Sequence, residues 1–203
     1  MSLIYLLILA ALLSGCVQPL NIHRNTKASA QWLQQSQQRS QLKSWLLHGR
    51  VSIQTADDGG VADLIWHQSK QAFSIQLNAP LGAGALELSS VAGGVVLSSS
   101  GGEQLFASDA ETLLQNLQGW QLPVSGLRYW LLAVPVPKKP YQLISWLDNQ
   151  QLHVMQQDGW HIEFRQYQQV GKLWLPRKIF MHRLDDAEVD VRVVIRRWTL
   201  DNV

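Results

Sequence analysis

From Val51 onward the chain alternates apolar and polar residues with a period of two, and turn residues cut the alternation every few positions. Val51 and Ile53 alternate with Ser52 and Gln54, and Phe73, Ile75 and Leu77 with Ser74, Gln76 and Asn78. Trp160, Ile162 and Phe164 alternate with His161, Glu163 and Arg165, and Val189, Val191, Val193 and Ile195 with Asp190, Arg192, Val194 and Arg196. Successive side chains of a strand point to opposite faces, so each segment has one face to bury and one that tolerates water. Asp57-Asp58-Gly59-Gly60, Gly93-Gly94, Gly101-Gly102, Asp148-Asn149 and Asp158-Gly159 are the turns expected between them. The pattern predicts a mainly β protein with helices, an α+β chain built on one open, curved antiparallel sheet that is wet on one face. Helices laid over the other face of such a sheet can enclose an apolar hollow.

The helices are expected in three places. Ala28 to Leu47 lacks Pro and Gly, and Trp32, Leu42, Trp45 and Leu46 fit an amphipathic helix that Gly49 would end. Ser108 and Glu111 have capping-box spacing, followed by Ala110, Leu113, Leu114 and Leu117 at helical intervals and a stop at Gly119. A second short helix is expected from Ser125, with Leu127, Trp130 and Leu131 on one face, and Pro135, Pro137 and Pro140 exclude its continuation.

The first residues read differently. Leu3 to Leu13 is an almost unbroken apolar run, too short for the roughly 20 residues that span a bilayer but the length of a secretory-signal core. Leu13-Ser14-Gly15-Cys16 follows at once and reads as a bacterial lipobox, although Met1-Ser2 ahead of the run carries no Lys or Arg. Cys16 is the sole cysteine. Its sulfur would be the nucleophile that receives a diacylglyceryl group, and resemblance to bacterial lipoprotein signals implies acylation of the freed amine as well. Residues 1–15 are thus expected to be a lipoprotein signal peptide, 16–27 a lipidated tether, and 28–203 a single lipid-binding domain. Without other cysteines, that domain rests on packing alone.

Composition excludes several functions. With a net charge of +2, 16% charged residues and no Lys/Arg block, nucleic acid is not an expected partner. The six histidines form no HExxH pair and none lies near a cysteine, so no metal ligands are assigned. There is no Gly-x-Ser-x-Gly elbow and no Walker loop. The pairs His161/Glu163 and Asp190/Arg192 read as a solvated outer face. No catalytic residue and no cofactor is assigned, and the chain is not expected to be an enzyme. Nine tryptophans fit a core, an apolar cavity or a membrane-proximal surface equally.

One loop stands out. Asn78-Ala79-Pro80-Leu81-Gly82-Ala83-Gly84-Ala85-Leu86-Glu87-Leu88 joins two alternating segments, yet has no charge before Glu87. Surface loops are normally polar. Pro80 fixes one side of Leu81 and Gly82 frees the other, so the leucine either projects from the body or folds back onto the core.

The lipobox, the Gln/Trp-rich first helix, Gly49-Arg50, Trp66, the Asn-Ala-Pro-Leu-Gly loop with Leu-Glu-Leu after it, and Leu122-Pro123 with Leu127-Arg128-Tyr129-Trp130-Leu131 together resemble the LolB family of outer-membrane lipoprotein receptors. That resemblance implies an incomplete antiparallel β-barrel with a helical lid over an apolar cavity. It implies a monomeric receptor that takes lipoproteins from the periplasmic carrier LolA, shelters their acyl chains and inserts them into outer-membrane lipid. It maps the membrane-insertion loop onto Pro80, Leu81 and Gly82, with Leu81 as the protruding residue. Val17, which is not the Asp of inner-membrane retention, implies sorting to the periplasmic face of the outer membrane. Leu64, Trp66, Phe73, Ile75, Leu77, Leu86, Leu88, Ile162 and Phe164 are the expected acyl-chain cavity positions, with Trp130 and Leu131 in the lid. Two rival readings are a lipid-anchored structural or assembly lipoprotein, favoured by a solidly packed interior, and a hydrolase, favoured by a Ser-His or paired-carboxylate cleft.

Overall fold

The computed structural model describes residues 22–24, 27–56, 59–118, 122–185 and 189–200; the lipobox with Cys16, the Asp57-Asp58 turn and Gly119 lie outside them. Among the described residues twelve strands form one antiparallel sheet: β1 (Ile22–Arg24), β2 (Ser44–Gln54), β3 (Gly59–Ser69), β4 (Ala72–Asn78), β5 (Ala85–Val91), β6 (Gly94–Ser99), β7 (Gln104–Ala107), β8 (Tyr141–Leu147), β9 (Leu152–Gln157), β10 (Trp160–Val170), β11 (Leu173–Arg183) and β12 (Asp190–Leu200). The order across the sheet is β1-β8-β9-β10-β11-β12-β2-β3-β4-β5-β6-β7, so β1 and β7 are edges and the sheet does not close. Among the described residues three α-helices accompany it: α1 (Ala30–Ser40), α2 (Ala110–Gln118) and α3 (Val124–Trp130).

The alternation read from the sequence is the alternation of burial. In β2 every second residue from Trp45 to Ile53 faces inward, and β12 does the same with Val191, Val193 and Ile195. Seven tryptophans are in this interior: Trp32, Trp45, Trp66, Trp130, Trp146, Trp160 and Trp198. They pack in edge-on or tilted pairs, with Trp45 against Trp198 at 5.3 Å and against Trp66 at 5.7 Å, and Trp130 against Trp160 at 6.2 Å, which are favourable aromatic geometries.

Three local expectations are corrected. The first helix ends at Ser40, not Leu47, and the chain is already a strand from Ser44. Leu42, Trp45 and Leu46 fit a helical stripe, but β12 and β3 on either side of β2 set a strand register in which Trp45 and Leu47 are the inward pair. Gly49 therefore ends no helix. It sits inside β2 where an added Cβ would lie 2.5 Å from the Val194 carbonyl oxygen of β12, a close backbone approach that only glycine permits. The cap of α2 is Asp109, whose Oδ1 accepts from the Thr112 amide at 2.7 Å, and that bond holds its carboxyl below the usual range. Glu111 instead reaches the next helix and accepts from the Ser125 amide at 2.8 Å, close to the start of α3, where a carboxylate is favoured. A bulge in β8 also turns Ser145, Trp146 and Leu147 all into buried positions, so burial does not alternate strictly there.

Helix α1 covers the β8–β11 side of the sheet. Ser29 Oγ accepts from the Trp32 amide at 3.1 Å, and the Trp32 ring meets Trp146 edge-on. Arg39 is 1% exposed. Its Nη1 donates to the Trp174 carbonyl at 3.0 Å and its Nη2 to the Ala133 carbonyl at 3.3 Å. One guanidinium thus ties α1 to β11 and to the turn that follows α3.

Candidate functional site

On the β2–β7 half of the sheet the interior is not filled. An apolar cavity of about 270 Å³ lies between strands β12, β2, β3, β4, β5, β6 and β7 on one side and α2, α3 and their connection on the other. Trp66, Leu64, Leu88 and Ile75 are its buried floor. Leu114, Leu122, Val124, Leu127 and Leu131 come from the helical side. The Trp66 indole is kept from presenting an unmet polar group: its Nε1 donates to Gln68 Oε1 at 3.2 Å, and Gln68 in turn donates to the carbonyls of Lys70 and Ala72. Leu86 and Leu105, half-exposed, and the polar Ser99 and Glu103 line the cavity where it meets solvent.

The helical cover is pinned at named points. Trp130 Nε1 donates to Gln157 Oε1 at 2.9 Å, and the buried Gln157 amide also accepts from the Val136 amide and donates to the carbonyls of Val136 and Lys139. On the outside Arg128 donates to Gln71 Oε1 at 2.9 Å and to the Lys70 carbonyl at 3.3 Å, on the β3–β4 turn. The inner tie is buried and fully satisfied. The outer one is exposed and of the kind that water competes with.

Just beyond the mouth, the β4–β5 loop closes with the Ala79 amide donating to the Gly84 carbonyl at 2.9 Å. Within it the Ala83 amide donates to the Pro80 carbonyl, and both central residues have positive φ, Leu81 at 57° and Gly82 at 75°. That is the sign pattern of a I′ turn, where Asn-Gly is the usual pair. Leucine in the left-handed region costs roughly 1–2 kcal/mol. Its side chain is fully exposed, at 107% of the reference area, and touches no core. The loop is braced against the β6–β7 turn, with the Ser100 amide donating to the Ala85 carbonyl at 2.9 Å and the Ala85 amide to Ser100 Oγ at 3.3 Å.

A family model described as "Outer membrane lipoprotein LolB" matches residues 43–198. The chain belongs to the LolB family. It is 35% identical over 192 residues to the outer-membrane lipoprotein LolB of Pseudomonas syringae pv. syringae, covering 94% of this chain and 92% of the relative. It is 36% identical over 191 residues to the LolB of Pseudomonas aeruginosa, covering 93% and 91%. In fold it is similar to the crystal structure of a LolA superfamily protein from Nitrosomonas europaea, with a TM-score of 0.53 at 8% identity over 87% of this chain and 96% of that one.

Within this LolB-family fold the residues singled out from the sequence divide into two groups. Leu64, Trp66, Ile75, Leu77, Leu86, Leu88 and Leu131 line the cavity. Phe73, Trp130, Ile162 and Phe164 do not. Phe73 packs half-buried beside Trp66 at 6.4 Å, Trp130 turns toward Trp160 and Gln157, and Ile162 and Phe164, at 0% exposure, are solid core on β10. Alternation tells which face of a strand is inward but not which stretch of that face the helices leave uncovered. Val51, Ile53, Leu97, Leu105, Leu114, Leu122, Val124, Leu127, Val191 and Val193 also line the cavity, beyond the positions expected from the sequence. They carry the same period-two or helical signal, but choosing among them needs the strand order. Pro80, Leu81 and Gly82 form the exposed turn described above, and Cys16 lies outside the described residues.

A Ser-His-acid row does occur, on β8, β9 and β10. Ser145 Oγ is 3.0 Å from His153 Nδ1, and His153 Nε2 is 3.2 Å from Glu163 Oε1. Ser145 and His153 are each 4% exposed and neither borders the apolar cavity, so the hydroxyl is covered by its own surroundings. Glu163 also accepts from Arg165 at 2.9 Å. The expectation of a merely solvated face is corrected here, because Glu163 is the hub of a partly buried network. Burial opposes ionisation of Glu163, but Arg165 and His153 outweigh it and hold its carboxyl below the usual value.

Beside it, His161 stacks on His182 at 4.5 Å. Burial, then the neighbouring His182, lower the His161 pKa below 6.5, against the opposing pull of Glu163. A histidine depressed in the folded state contributes full stability above its unfolded value and loses it as pH falls, because the unfolded chain then binds the proton better. Thermal unfolding measured from pH 7.5 to 5 is therefore expected to show a falling Tm below about pH 6.5. The fall should be shallower in His161→Gln, and an unchanged slope would count against this linkage.

Proposed function

We propose that this chain is an outer-membrane lipoprotein receptor. Anchored at the periplasmic face through acyl chains on Cys16, it accepts lipoproteins from a LolA-type soluble carrier into the apolar cavity and inserts them into the outer membrane. The observation that carries the reading is a greasy cavity whose mouth adjoins a strained, fully exposed leucine. A solidly packed interior would have favoured an assembly role, and the β2–β7 half of this interior is not filled.

The energetics fit. A lipoprotein carries up to three acyl chains, and at about 0.8 kcal/mol per buried CH₂ their joint exposure costs on the order of 30 kcal/mol or more. Cargo must therefore pass from one apolar shelter to the next. No nucleotide is needed if each acceptor holds the chains more favourably than its donor, with the bilayer last. At about 270 Å³ the cavity is below the roughly 300–1,000 Å³ of pockets that bury drug-sized ligands. Loading three chains thus requires the helical cover to move, and the exposed Arg128 tie to the β3–β4 turn is the part of its attachment that separates most readily.

Titration of the soluble Cys16→Ala form with a triacylated cysteine lipopeptide carrying a brominated acyl chain tests this. Saturable tryptophan quenching is expected, and Trp66→Phe should remove a large share of it because Trp66 alone of the tryptophans lines the cavity among the described residues. Absence of saturable binding would end the receptor reading.

A further inference from the structure

A receptor working at a bilayer is surrounded by phospholipids whose acyl chains match those of its cargo. Contacts with Leu64, Ile75 or Leu88 cannot tell the two apart. The difference lies where the chains join: a phospholipid brings a phosphate anion, while a triacylated cysteine brings only ester, thioether and amide groups. Discrimination therefore has to come from polar groups at the cavity mouth.

The cavity lining contains two polar residues, Ser99 and Glu103, and both are at the mouth. Ser99 faces Leu86 across the β5–β6 ladder, and its amide donates to the Glu103 carbonyl at 2.9 Å across the β6–β7 turn. The same turn braces the Leu81 loop through Ser100. Glu103 is exposed, and among the described residues its carboxylate has no hydrogen-bond or ion-pair partner. An uncompensated negative charge thus stands at the entrance to an otherwise apolar site.

We infer that Glu103 is a specificity-determining residue: its carboxylate keeps anionic phospholipid out of the cavity by charge repulsion and leaves the uncharged head of a triacylated cysteine unopposed. This rests on the receptor reading above. For two charges roughly 6 Å apart, effective dielectric constants between about 80 and 20 translate to between about three-fold and about a hundred-fold in affinity.

The test compares the soluble Cys16→Ala form, as parent, with its Glu103→Gln and Glu103→Lys variants. Each is titrated with short-chain phosphatidylglycerol below its micelle concentration, diacylglycerol of the same chains, and a triacylated cysteine lipopeptide of uncharged residues with an amidated C-terminus. Glu103→Gln should raise phosphatidylglycerol affinity within that range, and Glu103→Lys should raise it further. The gain should shrink between 20 mM and 500 mM salt, as expected for a partly exposed charge pair. Diacylglycerol and lipopeptide should shift less than about two-fold, since neither carries a charge for the residue to act on. An unchanged phosphatidylglycerol affinity overturns the inference, as does a parallel rise for diacylglycerol, which would mean a mouth opened sterically, or a gain insensitive to salt. If the parent takes up neither uncharged ligand, the receptor reading fails and this inference with it; if it takes up both but Glu103→Gln changes nothing, only the inference fails.

Discussion

Leu81→Glu is expected to fold, to keep its cavity and to accept cargo at the parent affinity, yet to deliver lipoprotein to vesicles at least ten times more slowly. Among the described residues nothing in the folded body contacts this fully exposed side chain, so its loss costs no packing. What changes is its meeting with a bilayer. Burying a leucine is worth about 1.5–3 kcal/mol, whereas a buried acidic side chain costs roughly 2.5–3.5 kcal/mol, so the swing in docking energy is on the order of 4 kcal/mol or more. The backbone supplies the argument that Leu81 is retained for something other than stability. The left-handed conformation at the first central position of this turn suits Asn or Gly, and an observed outlier of this sort motivates a functional hypothesis. Leu81→Gly should accordingly be no less stable than the parent by thermal unfolding while showing the same delivery defect. Delivery by Leu81→Glu at the parent rate would remove the insertion role.

Leu97→Trp should do the reverse, abolishing uptake while leaving the fold intact. Leu97 sits on β6 between Leu88 of β5 and Leu105 of β7 and borders the cavity. An indole there enters space that is empty. Voids cost about 24 cal/mol per Å³ of residual cavity, so filling one should hold Tm steady or raise it, in contrast to overpacking a filled core, which typically costs about 1–3 kcal/mol. Lipopeptide affinity should fall at least ten-fold, read by the quenching of tryptophan fluorescence by a brominated acyl chain. Parent affinity with the indole in place would mean that acyl chains bind elsewhere.

The antiparallel sheet was legible because its signal is local. Period-two alternation and Gly/Asp turns act through neighbouring residues, and β3, β4, β10 and β12 follow them closely. The cavity was legible only in part. Leu64 and Ile162 carry the same strand signal, but Leu64 faces the empty half of the interior and Ile162 the filled half. That division depends on a strand order that places the chain's last strand beside β2, a pairing no local pattern encodes. The sequence places Trp45 on a helix because Leu42, Trp45 and Leu46 fit a helical stripe while Trp45 and Leu47 also fit period two. The capping box, a local motif, points Glu111 to its own helix, whereas its partner, the Ser125 amide, lies across the helical pair. Arg39 and Gln157 gave no signal at all. A polar residue that becomes a buried tie looks in sequence like any other solvent-facing side chain.

The unpaired outer edges of β1 and β7 have a mechanical consequence. A closed barrel is a hoop, whose girth is fixed once strand number and stagger are set. Among the described residues this sheet is a clasp with two loose ends, and the arm that ends in β7 is one wall of the cavity. A small change of twist along β5, β6 and β7 alters the enclosed width without breaking a ladder hydrogen bond. On the receptor reading proposed above, the girth of the compartment would follow its contents, so that one chain could house lipid tails of different length and number.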